Sequence, residues 1–427
     1  MFMSEVFNFI QQEETRLISL LDSSDDKVRC RAIKEIGRCK SLLYLEHLYN
    51  VATCDESTLV RREAVSSIGR MRSVEAIPYL IEILEDSDPK IVCQAVRGLL
   101  IFKGRDEVDS KLKALINHQN ETVHSIIHKA YYEKMGDIFK ENLLPHSQTY
   151  PFLKNKIVHA DVRDVLQTLP QDSIHLTFTS PPYYNARDYS IYPSYEAYLS
   201  FLEEVFLETH RVTKEGRFLI VNTSPVIIPR VSRSHSSKRY PIPFDLNTIL
   251  TKMGWDFIDD IVWMKPEYSV KNRIGGFGQH RNPLSYKPNA ITEYLLVYRK
   301  HTDRLLDWNI KQYDATTIKM SKVEDGFEST NVWQIAPRSD KVHSAIFPES
   351  LCQRVITYYS FRGDLVFDPF AGSGTVGRVA RMLERNFFLT EKEGKYFDYM
   401  KTLFAPDLLV SEDVQFLTLD EFKENVK

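Results

Sequence analysis

At 427 residues the chain exceeds the roughly 250–300 residues at which a single hydrophobic core stops growing, so two domains are expected. A composition of 43% hydrophobic and 26% charged residues, with Gly 16 and Pro 19, excludes collagen-like and wholly disordered classes. A net charge of -3 excludes a uniformly basic coat for nucleic acid but leaves room for a local basic face. The five cysteines, Cys30, Cys39, Cys54, Cys93 and Cys352, are scattered without a C-x-x-C pair, so neither a disulfide framework nor a zinc site is expected, and the compartment reads as a reducing cytosol. No apolar run approaches the roughly 18 residues of a membrane span, and no secretory leader is legible.

Residues 1–145 read as an all-α repeat domain. Val28, Val60, Ile91 and Val123 each stand four residues before Ala32, Ala64, Ala95 and Ile127, so successive copies lie 32, 31 and 32 residues apart. Self-similarity at that period marks a solenoid. Acidic turns at Asp25-Asp26, Asp55-Glu56 and Asp88-Pro89 precede amphipathic runs such as VRCRAIKEIGR and VRREAVSSIGR, with apolar residues three and four apart. Arg29, Arg61 and Arg62 are expected to be solvated or packed on turns rather than set against phosphates.

A linker around Leu143–Tyr150 leads into residues 146–427, where short β-rich runs (IHLTFTS, RFLIVN, DFIDDIVWM, AITEYLLVY, LVFDPF, NFFLTE) alternate with helical stretches. That alternation predicts a Rossmann-like α/β domain. The first of these strands runs into Ser180-Pro181-Pro182-Tyr183. A double proline there fixes the backbone. The Ser180 hydroxyl and the Pro181 carbonyl then accept hydrogen bonds from one amino group, and Tyr183 offers a flat face to a planar ring, as a site for an amine on an aromatic base requires.

Two basic stretches follow, the first without an acid. Arg230, Arg233, Lys238 and Arg239 lie in 227–240, which reads as a loop; Lys271, Arg273 and Arg281 surround the glycine-rich IGGFGQH. Both are candidates for phosphate contact and, through Arg, for guanine readout. Further on, LVFDPF runs into AGSGT and a helix, the strand–turn–helix at which open α/β sheets bind nucleotide-like ligands. Glu391 ends the next strand 23 residues after Asp368, close to the offset at which a carboxylate meets ribose hydroxyls. Neither G-x-G-x-x-G nor a P-loop is present, which favours a phosphate-free adenosine compound.

The succession TSPPY, EVFLETHRVTKEGRFLIVN, GWDFIDDIVWMKP, AITEYLLVYRK, VWQIAP, HSAIFPESL, DPFAGSGTV and ERNFFLTEKEGKY resembles the β-group amino-methyltransferases of DNA over about residues 155 to 400. The repeats resemble HEAT repeats over about residues 14 to 140. The first resemblance implies S-adenosylmethionine as cofactor, held by Asp368, Phe370, Ala371, Gly372 and Gly374 at the glycine turn and by Glu391 at the ribose. Asp161 then contacts the adenine, and His343 and Phe347 close over the methionine end. Ser180, Pro181, Pro182 and Tyr183 form the catalytic tetrapeptide, and a target-recognition region is expected at 268–340. No metal is expected.

The expected activity is site-specific methylation of the exocyclic N4 of cytosine in duplex DNA, with the target base flipped out and stacked on Tyr183. N6-adenine is the alternative, and a leading Ser rather than Asp or Asn favours cytosine within the family. C5 methylation needs a Pro-Cys nucleophile that this chain does not have. Protein glutamine methylation is opposed by the order of the two turns, and a non-catalytic cofactor-binding scaffold by the intact tetrapeptide and Glu391. The setting implied is bacterial, cytoplasmic and nucleoid-associated, in restriction-modification or defence. For the repeats three roles stay open: clamping the duplex, pairing with a restriction or defence subunit, or stabilising the enzyme.

Overall fold

The structure is a computed structural model that describes residues 15–132, 144–185, 192–228, 232, 234–235, 237–338, 347–404 and 414–426. The chain divides into two compact units, Met1–Phe139 and Lys140–Lys427. The division falls a little before the expected boundary because the linker is sewn into the second unit: Lys214 Nζ donates to the carbonyls of Pro145 (3.1 Å) and Gln148 (2.9 Å), and the His175 ring bonds the His146 carbonyl. Among the described residues no helix is long and apolar enough to cross a membrane.

In the first unit, helices Asp26–Cys39, Thr58–Met71, Pro89–Leu99 and Glu121–Tyr131 begin where the repeat predicts. Three of them are capped by side chains that accept from first-turn amides: Asp25, Asp88 and Asn120. Ala32, Ala64, Ala95 and Ile127 are buried at equivalent positions, where a small or branched residue lets successive helices close up. Arg29 reaches from its own repeat to Asp55 at the next turn (2.9 Å), and Arg61 does the same to Asp86. These arginines pack on turns, as expected of them.

The second unit is a nine-stranded sheet. Its strands are β1 (Lys156–His159), β2 (Ile174–Thr179), β3 (Thr213–Thr223), β6 (Trp255–Met264), β7 (Thr292–Lys300), β8 (Val332–Gln334), β9 (Leu365–Asp368), β10 (Asn386–Glu391) and β11 (Gln415–Thr418), in the spatial order β11-β1-β10-β9-β2-β3-β7-β6-β8. All neighbours pair in parallel except β7, which is antiparallel to both β3 and β6. β2, β9 and most of β10 are buried along their whole length, as central parallel strands covered on both faces must be. At the amino ends of the central strands, Arg217, Asp364 and Tyr313 form a buried network, with the Tyr313 hydroxyl donating to Asp364 at 2.6 Å. The stretch expected as a loop at 227–240 instead carries a two-stranded ribbon, β4 (Val226–Ile228) against β5 (Lys238–Tyr240), because a wholly β-branched first arm pairs with the second and sets Val226 opposite Tyr240.

Candidate active site

β2 and β9 are neighbours whose chains leave in opposite directions across the sheet. β2 continues through helix Tyr195–Val212 to β3, and β9 continues through helix Thr375–Met382 to β10. At such a switch point the carboxyl ends of the strands open a crevice. The turns after the two strands are tied together: Thr179, the last residue of β2, donates its hydroxyl to Asp368, the last of β9, at 2.7 Å. The same Asp368 oxygen accepts from the Phe370 amide at 3.1 Å.

The glycine turn needs its glycines. Gly372 and Gly374 have φ of +53° and +71°, and a Cβ on Gly374 would lie 2.8 Å from both Met400 Sδ and Phe404 Cε2. This backbone aims the Gly372 amide at one Glu391 oxygen (2.8 Å), while the Glu393 amide holds the other (2.8 Å). Each carboxylate oxygen therefore keeps a lone pair for a further donor. Burial pushes the Glu391 carboxyl up to about 7, against the pull of those two amides. Burial likewise raises Asp368 to about 7, with Thr179 and the Phe370 amide pulling back. Neither makes an ion pair among the described residues.

Above these turns lies a cavity of about 470 Å³. It brings together Asp161, Ser180, Pro181, Pro182, Tyr183, Phe347, Asp368, Phe370, Ala371, Gly372 and Glu391. Gly374 stands behind the wall as the cap of helix Thr375–Met382. Asp161 caps helix Val162–Leu166, and its carboxylate is also bonded by Arg163 (3.0 and 3.1 Å) and Lys392 (3.3 Å). Burial would raise it, but these bonds outweigh burial and hold it at about 2. Phe347 stacks on Phe178 of β2 at 4.7 Å. His343, Arg230 and Arg233 lie outside the described residues. Lys238 and Arg239 are on β5, and Lys271, Arg273 and Arg281 are on the excursion between β6 and β7; none of these five lines the cavity.

Sequence reasoning missed part of the wall. Asn222 of β3, Trp263 and Lys265 at the end of β6, and Glu293 of β7 face the same space. Glu293 accepts from the Tyr183 hydroxyl at 3.1 Å and pairs with Lys265, whose ammonium also sits 4.6 Å over the Trp263 ring. Burial first, and then the Glu293 charge, push the Tyr183 phenol far above its usual range, so it stays protonated. The available signal was a lone acid opening the apolar run TEYLLVY. Cys352, the sole cysteine of this unit, is buried with its thiol pushed well up by burial, the opposite of a poised nucleophile. Among the described residues no cluster suits a metal ion.

Residues 174–402 match the model of a DNA methylase family that groups N6 and N4 enzymes. The chain belongs to that methylase family. Residues 14–100 and 45–128 match HEAT repeats. Among curated methylases, the type II methyltransferase M.MwoI of Methanothermobacter wolfeii is 28% identical over 263 residues, 58% of this chain and 34% of its own length. M.ScaI of Streptomyces caespitosus is 29% identical over 285 residues, 63% of this chain and 86% of its own. The chain thus spans about a third of M.MwoI, and 24% of the type II beta methyltransferase M.BslI of a Bacillus species. A solved DNA modification methylase of Thermus thermophilus, in complex with S-adenosyl-L-methionine, is 26% identical, with 59% of this chain and 95% of that one covered and a TM-score of 0.47. In the methylase family's terms, the β2 turn precedes the β9 turn along the chain, the order expected of the β-group.

Proposed function

We propose that this chain methylates the exocyclic N4 of cytosine in double-stranded DNA with S-adenosylmethionine as donor, in a restriction-modification or defence setting. The observation that carries the reading is the Thr179–Asp368 hydrogen bond, because it makes one site of the S-P-P-Y turn and the glycine turn. The cavity suits the cofactor chemically: it lies within the range of small-molecule sites and holds two buried carboxylates without cationic partners among the described residues, as a cationic, ribose-bearing ligand requires. When bound, that ligand supplies an electrophilic methyl on a positively charged sulfur.

The rest of the work falls to the chain. Glu391 accepts from ribose hydroxyls with its two free lone pairs, Asp368, Phe370, Ala371, Gly372 and Gly374 shape the methionine end, and Phe347 and His343 close over it. Asp161 serves the adenine once the exposed Lys392 gives way. The amino nitrogen of a base is a poor nucleophile because its lone pair is delocalised into the ring. Ser180 Oγ and the Pro181 carbonyl accept its two hydrogens so that the nitrogen pyramidalises and its lone pair is uncoupled from the ring's π system; one of those hydrogens leaves as a proton once the nitrogen has taken the methyl, and proximity supplies much of the acceleration. Tyr183, oriented by Glu293, stacks the flipped base. Lys265 favours cytosine, whose Watson–Crick edge offers N3 and O2 as acceptors beside the amine, where that edge of adenine offers N1 alone. Lys238, Arg239, Lys271, Arg273 and Arg281, with Arg230 and Arg233, supply phosphate and base contacts, and 268–340 supplies sequence recognition.

The test is to incubate the purified chain with S-adenosylmethionine and unmethylated genomic DNA and to identify the methylated nucleoside by mass spectrometry. N4-methylcytosine is expected. N6-methyladenine overturns the base assignment but keeps the site, and no product despite bound cofactor overturns the catalytic reading in favour of a scaffold.

A further inference from the structure

Between β6 and β7 the chain makes an excursion, residues 266–291, whose two feet stand in the cavity wall. Lys265 and Glu293 pair across its base, and the Lys265 amide donates to the Ile291 carbonyl at 2.8 Å. The excursion has a fixed internal structure. Asn289 Oδ1 accepts the amides of Arg273 (2.7 Å) and Ile274 (3.3 Å), its own amide reaches Glu267 at 2.8 Å, and Phe277 packs edge-on against Tyr286 at 5.1 Å. Between Glu267 and Glu293 the chain carries Lys271, Arg273, Arg281 and Lys287 and not one carboxylate.

The second half of the excursion holds the turn Asn282-Pro283-Leu284-Ser285, closed by the Ser285 hydroxyl on the Asn282 carbonyl at 2.6 Å. Leu284 is fully exposed and has a φ of +70°. An isolated exposed leucine is ordinary. A leucine that is exposed and also lies in the left-handed region, where Gly or Asn costs less, is not, and backbone strain of this kind clusters where a ligand is met. Its flanking residues in the chain include Arg281 and Lys287 and no acid, so the surface it suits is anionic with an apolar interior, which describes a base-paired duplex. Nine positions separate Leu284 from Glu293, so Leu284 lies within about 30 Å of the cavity wall.

We propose that Leu284 is a wedge that enters the duplex and fills the stack vacated by the flipped target base, while the flanking cations hold the phosphates on either side. Apolar side chains inserted between base steps are a general means of opening a duplex. The hydrogen-bonded stem connects the wedge to the Lys265–Glu293 pair and through Glu293 to Tyr183, so insertion and base capture are registered with each other. The inference rests on the DNA methyltransferase reading above.

The test uses a defined duplex carrying the methylated sequence read from modified genomic DNA, with the target base either paired or facing an abasic position. Leu284→Gly should lose about tenfold or more in kcat/KM on the paired duplex and come within about twofold of the parent on the abasic one, where unpairing costs little. Leu284→Phe should retain activity on both, and Arg281→Ala should weaken binding to both equally and lower the salt slope by about one. Leu284→Gly should also melt no lower than the parent, since it removes an exposed side chain and relieves the backbone. Equal losses on both duplexes, no loss on either, or a lowered melting temperature would overturn the wedge while leaving the methyltransferase reading intact. A parent protein that yields no methylated nucleoside overturns that reading, and the wedge falls with it.

Discussion

With the proposed roles of Glu391 and Asp368, the two buried carboxylates beneath the glycine turn should make cofactor binding a proton-linked event. Free Glu391 titrates at about 7 because burial disfavours its charge, so the free protein loses stability as pH rises from the ordinary carboxyl value of 4.5 through 7. A cationic ligand with hydroxyl donors favours the ionised form and drives the proton off. Cofactor affinity should therefore fall about tenfold between about pH 7.5 and pH 6 for one such group, measurable by titration calorimetry. Glu391→Gln should weaken binding at all pH values and flatten that slope, leaving only the share of Asp368. Ser180→Ala should separate the two functions, lowering methyl transfer about a hundredfold with cofactor affinity unchanged; equal loss of both would reject its role as the amine acceptor. The places of Ser180 and Glu391 in the cavity wall were legible because each sits in a local pattern whose chemistry is explicit. Lys265 and Glu293 were not, since each is a lone charge in its own segment, and only the antiparallel register Trp263↔Glu293, Met264↔Thr292 brings them together.

Among the elements, the glycine turn is where backbone and packing requirements coincide. Gly374→Ala combines a left-handed φ with overlap onto Met400 and Phe404 and should cost about 2 to 4 kcal/mol by chemical denaturation. The same substitution should displace the Gly372 amide from Glu391 and so reduce cofactor affinity as well. The strands with long β-branched or aromatic runs were readable in advance, and the repeat helices still more so, because acidic caps and a fixed period reinforce each other. β1, β8 and β11 were not, being three or four residues long with no signal of their own: KIVH is a strand because it lies in register with Phe388–Glu391 on one side and Gln415–Thr418 on the other. The ribbon at 226–240 escaped for a related reason, its two short arms being separated by a polar stretch that reads as loop.

For the molecule as a whole, the division into repeats and α/β unit follows from the change in sequence grammar, but the edge of the second unit does not. Lys214 is buried, its ammonium pulled down to about 8 by desolvation, and it donates to two linker carbonyls. A chain beginning at Lys140 should retain the melting temperature and cofactor affinity of the second unit. One beginning at Pro151 should lose about 3 kcal/mol or more, because a buried cation is left without those acceptors. Equal stability of the two would show that the linker is dispensable. The order of strands in the sheet could not be read from sequence either, because β9 lies beside β2 in space while standing 189 positions away from it at the Thr179–Asp368 contact. That separation has a consequence in time. On the ribosome, β2 is made long before the strand that completes its cavity, so a nascent chain through Phe361 carries the S-P-P-Y turn with no glycine turn opposite it and should bind no cofactor. Competence arrives only once β9 and the glycine turn have been made, and a chain interrupted before them is born inert.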